Sequence, residues 1–195
     1  MRNHRGVAQR LDGVSLSLIR QVFEKAPPDA INLGLGEPAF ATAPEIVDAA
    51  LTILGTEPLG YTFNGGILEL RELIAQRAPG NHTADSVCVT VGANGGLLGS
   101  MLVSVDAGDE VLVPALTFIA PVNAIRYVGA WPVFMDSEPT YWQMDSGKLE
   151  GFLKQGCRWQ NGSLVNKTSG RRIKAILPVH ILGHPCDMEP ILNLA

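Results

Sequence analysis

A short run of glycines, Gly92–Ala93–Asn94–Gly95–Gly96, is the feature of this sequence that could most directly do chemistry. It follows Val87–Val91, which has valine at every other position, and it precedes apolar residues at helical spacing over Leu97–Val105. A glycine turn that opens a helix points main-chain N–H groups at one spot, where the helix dipole adds about half a positive charge. The pattern therefore predicts a phosphate site at residues 92–94. A glycine turn that only allows close packing is the alternative.

Other side chains suited to ligand binding follow other predicted strands. Thr117 and Phe118 come soon after a strand predicted at Val111–Val113, and His180 follows a strand predicted at Ile173–Val179. Ligands of parallel sheets bind at the carboxyl ends of the strands. These residues are therefore candidate ligand contacts. Alternatively, Phe118 is a core residue and His180 is a structural histidine with satisfied hydrogen bonds.

The elements that must position these residues alternate between helix and strand. Apolar periodicity and proline positions predict helices at Ser15–Lys25, Pro44–Leu54, 67–74, Pro121–Tyr127 and Leu149–Leu153. Strands are predicted at Val87–Val91, Val111–Val113, Trp131–Met135 and Ile173–Val179. The polar, turn-rich segment Cys157–Arg172 predicts a protruding hairpin or loop. Such alternation predicts an α/β fold with a mainly parallel sheet and right-handed crossovers.

Composition narrows the class of protein. Hydrophobic residues make up 46% of the 195 residues and charged residues 17%, which suits a buried parallel sheet. A net charge of −4 gives no electrostatic reason to expect nucleic acid or an acidic membrane as a partner. The sequence shows neither an apolar run of membrane-spanning length nor the pattern of a signal peptide. Three unevenly spaced cysteines predict reduced thiols, and hence a cytoplasmic protein.

Two family resemblances meet in this chain. The segments INLGLGEPAF (31–40), YTFNGGILELRELIA (61–75) and VTVGANGGLL (89–98) are similar to class I/II aminotransferases. The segments VPALTFIAPVNAIRYVGAWPVFMD (113–136) and KAILPVHILGHPCDMEPI (174–191) resemble DegT-type nucleotide-sugar aminotransferases. Both are fold-type-I families that use pyridoxal 5′-phosphate (PLP). The resemblance changes family near residues 106–114, and a chimeric chain is one explanation of that change.

The resemblance implies a partial three-layer α/β/α large domain over residues 41–195, carrying the first four of seven strands and therefore truncated. Residues 1–40 would form an N-terminal arm and a substrate-loop segment. The full-length family is expected to form homodimers and to act on small molecules, an amino acid together with a keto-sugar or a 2-oxo acid.

The resemblance also implies the roles of the candidate site residues. It assigns the amides of Gly92, Ala93 and Asn94 to the PLP phosphate, Phe118 to the pyridine ring, His180 to the cofactor's side, Tyr61 to the phosphate of the partner subunit's cofactor, and Gly34 and Gly36 to the loop over the substrate. Alternatively, Tyr61 is an ordinary half-buried tyrosine and the two glycines only make a turn. Arg71 lies beside Glu69 and Glu72, which predicts a surface ion pair rather than a substrate anchor. No metal site is predicted.

PLP transamination needs a Schiff-base lysine and an acid beside the pyridinium nitrogen. None of Lys25, Lys148, Lys154, Lys167 and Lys174 is predicted at such a position, and Asp136 is predicted to be a turn residue. We therefore predict a PLP aminotransferase by ancestry that is inactive as given. The favoured acceptor is a nucleotide-linked keto-sugar. An amino-acid/2-oxo-acid aminotransferase fragment and a non-catalytic recombined fragment are the alternatives.

Overall fold

The computed structural model describes residues 15–31, 36, 38–58 and 60–195, which divide between Gly60 and Tyr61 into two compact units. The first unit contains helices α1 (Leu18–Lys25) and α2 (Pro44–Thr56). The hydroxyl of Ser17 accepts a hydrogen bond from the N–H of Arg20 and caps α1. Pro44 occupies the first turn of α2, where its missing N–H has no consequence. Both helices confirm the pattern predicted for this part of the chain.

The second unit alternates helices and strands. In chain order its elements are α3 (Leu68–Arg77), α4 (Gly92–Ser104), β1 (Glu110–Pro114), α5 (Ile119–Tyr127), β2 (Trp131–Met135), α6 (Ser146–Gly151), β3 (Cys157–Gln160), β4 (Ser163–Asn166), β5 (Ile173–Ile176) and α7 (Met188–Leu194). Among the described residues, no helix is both long enough and apolar enough to cross a membrane.

Strand β1 is the centre of a three-stranded parallel sheet with the order β2–β1–β5. Its residues alternate between two faces. Val111 and Val113 pack in a core cluster with residues of α4 and α5. Leu112 packs on the other side with residues of α6 and α7. Because all three side chains are fully buried, the sheet is a middle layer between two layers of helices, which confirms the predicted α/β class.

The strand predicted at Val87–Val91 is wrong. This segment is extended, but it belongs to neither sheet of the described residues. Its backbone contact is a hydrogen bond of 2.9 Å from the N–H of Val89 to the carbonyl of Gly65, and the side chain of Val91 is 96% exposed. A β-branched segment becomes a strand only where a neighbouring strand supplies a ladder, and here none does.

The glycine run is also not a separate turn. Helix α4 begins at Gly92 itself, so the run forms the first turn and a half of the helix. The turn into the helix is made at Gly92, whose φ of +68° lies in the left-handed region that glycine adopts readily.

Strands β3 and β4 form the predicted hairpin. Asn161 and Gly162 connect them with φ values of 51° and 74°, which is the pair of left-handed residues that a tight hairpin turn requires. The Nδ2 of Asn166 donates to the buried Glu110 carboxylate at 2.8 Å and so ties the hairpin to the beginning of β1.

Candidate functional site

Two of the candidate residues lie past the carboxyl ends of neighbouring strands. Phe118 is the N-cap residue of α5 and stands four residues after the end of β1. His180 stands four residues after the end of β5. Because β1 and β5 are parallel neighbours, both residues follow the same edge of the sheet, which is where ligands of such sheets bind.

A cleft between α4 and α5 brings Asn94 and Phe118 together. This α4–α5 cleft has a volume of about 340 Å³ and is lined by nine residues, among them Asn94, Phe118, Asn123 and Tyr127. None of its lining residues is charged. The ring of Phe118 is 70% exposed, so the reading of Phe118 as a core residue is wrong. The cleft thus combines an exposed aromatic face with the beginning of a helix.

The beginning of α4 has the chemistry of an anion site. No side chain caps this end of the helix, and the first-turn N–H groups of an α-helix have no acceptor inside the helix. The N–H of Gly92 donates to the carbonyl of Thr90 at 2.9 Å and is therefore occupied. The amides of Ala93 and Asn94 remain, together with the positive end of the helix dipole, so these residues fit a phosphate group.

The side chain of Arg71 holds the segment that leads to α4, a role that the sequence did not reveal. Its Nε donates to the carbonyls of Ala84 and Val87 at 3.0 and 2.9 Å, and its Nη2 donates to Ala84 at 2.6 Å. The side chain is only 17% exposed, and its ion-pair partner is Asp85, 3.7 Å away. The predicted surface ion pair with Glu69 or Glu72 is therefore wrong. Arg71 instead fixes the chain that leads to α4.

Gly66 also shapes the segment before α4, because a side chain at this position would collide with Val89. Its φ is +98°, and a Cβ at this position would lie 2.8 Å from the Cβ of Val89. The preceding residue, Gly65, accepts the hydrogen bond from Val89. The glycines of the segment YTFNGGILEL therefore allow the main chain to approach Val89 closely, three residues before α4.

Of the remaining candidates, Tyr61 is not among the residues that line the α4–α5 cleft. Tyr61 is fully exposed, so the reading of a half-buried tyrosine is wrong, and it lines a separate cavity of about 480 Å³ with Phe63 and Ile67. Gly36 belongs to the first unit, and a Cβ added there would meet no atom within 4 Å. Gly34 lies outside the described residues.

His180 is exposed and is not among the residues lining the cleft. Its Nδ1 accepts a hydrogen bond of 2.9 Å from the main-chain N–H of Cys186. His184, four residues further on, stacks on Tyr141 with ring centroids 4.8 Å apart. The hydroxyl of Thr117, beside Phe118, is buried and has no hydrogen-bond partner among the residues that the structure describes.

No lysine lines the α4–α5 cleft. The Nζ of Lys148 lies 2.8 Å from Asp136, whose hydrogen bond raises the pKa of this lysine. Lys154 pairs with Glu150, and Lys167 donates to the carbonyl of Gln155. Asp136 directly follows the end of β2, and the nearby turn covers residues 139–141 instead, so the prediction of a turn residue is wrong. Its carboxylate is occupied by the ion pair with Lys148.

Comparisons with known proteins give a family match and many relatives. The model of the DegT/DnrJ/EryC1/StrS aminotransferase family matches residues 76–195, and so includes α4 as well as the segment after residues 106–114. The GDP-perosamine synthase of Escherichia coli O157:H7 is 42% identical over 115 residues, which are 59% of this chain and 27% of that protein. The aromatic-amino-acid aminotransferase 2 of Thermococcus litoralis is 33% identical over 200 residues, which are 97% of this chain and 48% of that protein.

A solved aminotransferase from Mycobacterium tuberculosis has a similar fold over the matched part. It is 32% identical, with a TM-score of 0.62, and the match covers 73% of this chain and 40% of that chain. This chain spans 27% and 48% of the lengths of the two relatives named above.

Proposed function

Because the chain belongs to the DegT/DnrJ/EryC1/StrS aminotransferase family, whose members depend on PLP, we propose that the α4–α5 cleft holds PLP. The amides of Ala93 and Asn94 bind the phosphate, Gly92 shapes the turn before them, and Phe118 contacts the pyridine ring. The observation that carries the proposal is that Asn94 and the exposed Phe118 line one uncharged cleft. When bound, PLP supplies an electron sink for the transfer of an amino group.

Each residue contributes a distinct part of the binding. The helix dipole and the first-turn amides favour the dianionic phosphate without a nearby cation. The flat apolar face of Phe118 excludes water from one side of the ring, and a stacked aromatic pair adds about 0.5–1.5 kcal/mol. His180, past the neighbouring strand, is proposed to donate a hydrogen bond beside the cofactor.

We propose a nucleotide-linked keto-sugar as the acceptor, with an amino acid as the donor. The support is the family match over residues 76–195 and the similarity to a GDP-perosamine synthase. A second candidate is transfer to a 2-oxo acid, which is favoured by the amino-acid aminotransferase that matches 97% of this chain. Thermal melts separate the two candidates. A nucleotide-sugar acceptor predicts that GDP- or UDP-linked hexoses raise the melting temperature, and a 2-oxo-acid acceptor predicts that maleate or 2-oxoglutarate does so.

Tyr61 and the two loop glycines are proposed to act in the assembled enzyme. In a homodimer, the fully exposed Tyr61 reaches the phosphate of the partner subunit's cofactor. Gly34 and Gly36 allow a loop to close over the substrate. A cytoplasmic location stays a prediction that rests on the three cysteines, all of which are free.

None of the lysines in these 195 residues is proposed to attach the cofactor, because their amines are in ion pairs, bonded to a main-chain carbonyl, or outside the cleft. Incubation with PLP, borohydride reduction and peptide mapping test this. We expect only slow, scattered adducts. One stoichiometric adduct on a single lysine would contradict the proposal and would mean that this chain carries its own Schiff-base lysine. Scattered adducts, together with no binding of PLP at the cleft, would favour the non-catalytic fragment.

The binding proposal is tested with pyridoxamine 5′-phosphate, which needs no lysine. We expect it to bind more tightly than pyridoxamine, and Phe118→Leu to weaken binding about two- to tenfold, since 1.4 kcal/mol corresponds to a factor of ten. Phe63→Leu is the matched control, because Phe63 is 82% exposed but lines the other cavity. Equal affinity for the phosphorylated and unphosphorylated compounds would refute the phosphate site.

A further inference from the structure

The loop after β5 folds back so that Cys186 meets the ring of His180. A short 3-10 turn covers Ile181–Gly183, and Leu182 and Gly183 have φ values of +55° and +77°. These two left-handed residues reverse the chain within a few residues. The main-chain N–H of Cys186 then lies 2.9 Å from Nδ1 of His180.

The side chain of Cys186 is buried and is held in place by contacts of its sulfur atom. Its side chain is 6% exposed and belongs to the core cluster around Leu112 and Met135. The Sγ lies 3.0 Å from Oε1 of Gln143 and 3.2 Å from the carbonyl of Val179. Burial raises the pKa of this thiol, so the sulfur keeps its proton and remains a hydrogen-bond donor.

Gln143 is oriented so that its oxygen faces the sulfur. It is 5% exposed, and its Nε2 donates to the carbonyl of Tyr141 at 3.2 Å. Its own N–H donates to the Glu138 carboxylate at 3.1 Å. The side-chain amide is thus fixed at both of its atoms, and Cys186 is anchored to a loop that follows β2.

A main-chain N–H can only donate, so the Nδ1 that it contacts must be the bare nitrogen of the ring. We infer that Cys186 and Gln143 are positioning residues for His180, which hold its neutral ring as the tautomer that carries its proton on Nε2. The exposed nitrogen of His180 is therefore a donor, and the ligand atom that meets it must be an acceptor such as a carbonyl, phenolate or carboxylate oxygen. The statement that His180 meets the cofactor rests on the proposed function. The tautomer of His180 rests on its hydrogen bond with the N–H of Cys186 alone.

Magic-angle-spinning NMR of the 195-residue chain carrying labelled histidine measures this tautomer without requiring a monomer. The signals of His180 are assigned by their loss in His180→Gln, and His184, whose ring stacks on Tyr141, is the internal comparison. We expect one His180 species with a bare Nδ1 and a protonated Nε2. A protonated Nδ1, or a mixture of tautomers, in the unmodified chain would overturn the inference.

Variants test whether Cys186 and Gln143 determine which tautomer His180 adopts. Gln143→Met and Cys186→Ala remove the side-chain contact, and we expect each to produce an Nδ1-protonated population at His180. Cys186→Ser keeps a donor for Gln143 and should retain the single tautomer. If Cys186→Ala loses its fold by circular dichroism, Gln143→Met decides. A single unchanged tautomer in that variant would refute the positioning role.

Binding of pyridoxamine 5′-phosphate is measured on the same samples. We expect Gln143→Met to weaken it and Cys186→Ser to preserve it. Absence of binding by the unmodified chain with the Nε2 tautomer intact would contradict the proposed function alone.

Discussion

At the level of single residues, the proposed PLP site depends on positions that do not line the α4–α5 cleft. Gly66 and Arg71 fix the backbone that leads to α4, one by the absence of a side chain and the other by three hydrogen bonds to carbonyls. The sequence could not assign Arg71, because its acceptors are main-chain oxygens 13 and 16 residues away and carry no signature in residue type.

We expect Gly66→Ala to destabilise the chain. Its φ of +98° and the 2.8 Å separation from the Cβ of Val89 impose backbone strain of about 1–3 kcal/mol, with the steric clash in addition. Gly99→Ala is the control, because Gly99 lies in α4 with no atom within 4 Å of an added Cβ. It should stabilise the helix by up to about 1 kcal/mol. Equal urea midpoints for Gly66→Ala and the unmodified chain would contradict the account of the glycine.

At the scale of elements, a charged cluster joins the beginnings of β1 and β5. The Nε and Nη2 of Arg172 lie 2.8 and 2.7 Å from the two carboxylate oxygens of Asp109, and Nη2 lies 2.8 Å from Asp106. The hydrogen bond from Arg172 holds the pKa of Asp109 below its usual range, against the opposing effect of burial. Asp109 directly precedes the central strand β1, and Arg172 directly precedes its neighbour β5.

This pair makes stability depend on pH. A lowered pKa in the folded state means that the stabilisation is complete above the ordinary value of about 4 and is lost as the pH falls through the folded value. We expect Arg172→Met to lower the free energy of unfolding at pH 7 and to reduce the loss of stability on acidification. Urea unfolding between about pH 3 and 7 measures both effects. Arg158→Met, which removes an exposed arginine of the hairpin bonded to Gln160, should change neither, and a parallel pH profile for Arg172→Met would contradict the role of the pair.

Elements with a local signal were predictable from the sequence. The strand at Trp131–Met135 has the predicted bounds, and the Asn161–Gly162 turn produces the predicted hairpin. Val87–Val91 carries an equally clear strand pattern, but a strand also needs a neighbouring strand in space, which periodicity does not reveal and which none of the described residues supplies. In the same way, Phe118 could be placed after β1, whereas the cleft that it shares with Asn94 depends on how α4 and α5 pack.

At the scale of the whole molecule, apolar side chains remain uncovered on the second unit. Val91, Val103 and Leu102 are 96%, 86% and 64% exposed. Exposed apolar surface of this kind favours association, and at about 25 cal/mol per Å² its burial is worth several kcal/mol against a typical domain stability of about 5–15 kcal/mol.

We therefore expect the chain to self-associate. Sedimentation velocity over a range of concentrations should show species larger than the monomer, and Val103→Glu should shift the distribution toward the monomer. Gln155→Glu is the control, because it adds the same charge at an exposed polar position. A monomer at every concentration would contradict this expectation.

We propose that the beginning of α4 and Phe118 together form a PLP site. A structure of the chain with bound pyridoxamine 5′-phosphate is the decisive measurement. We expect the phosphate to lie within hydrogen-bonding distance, about 3 Å, of the amide nitrogens of Ala93 and Asn94, with the pyridine ring against Phe118. A phosphate bound away from those amides, or a ring that does not touch Phe118, would contradict it.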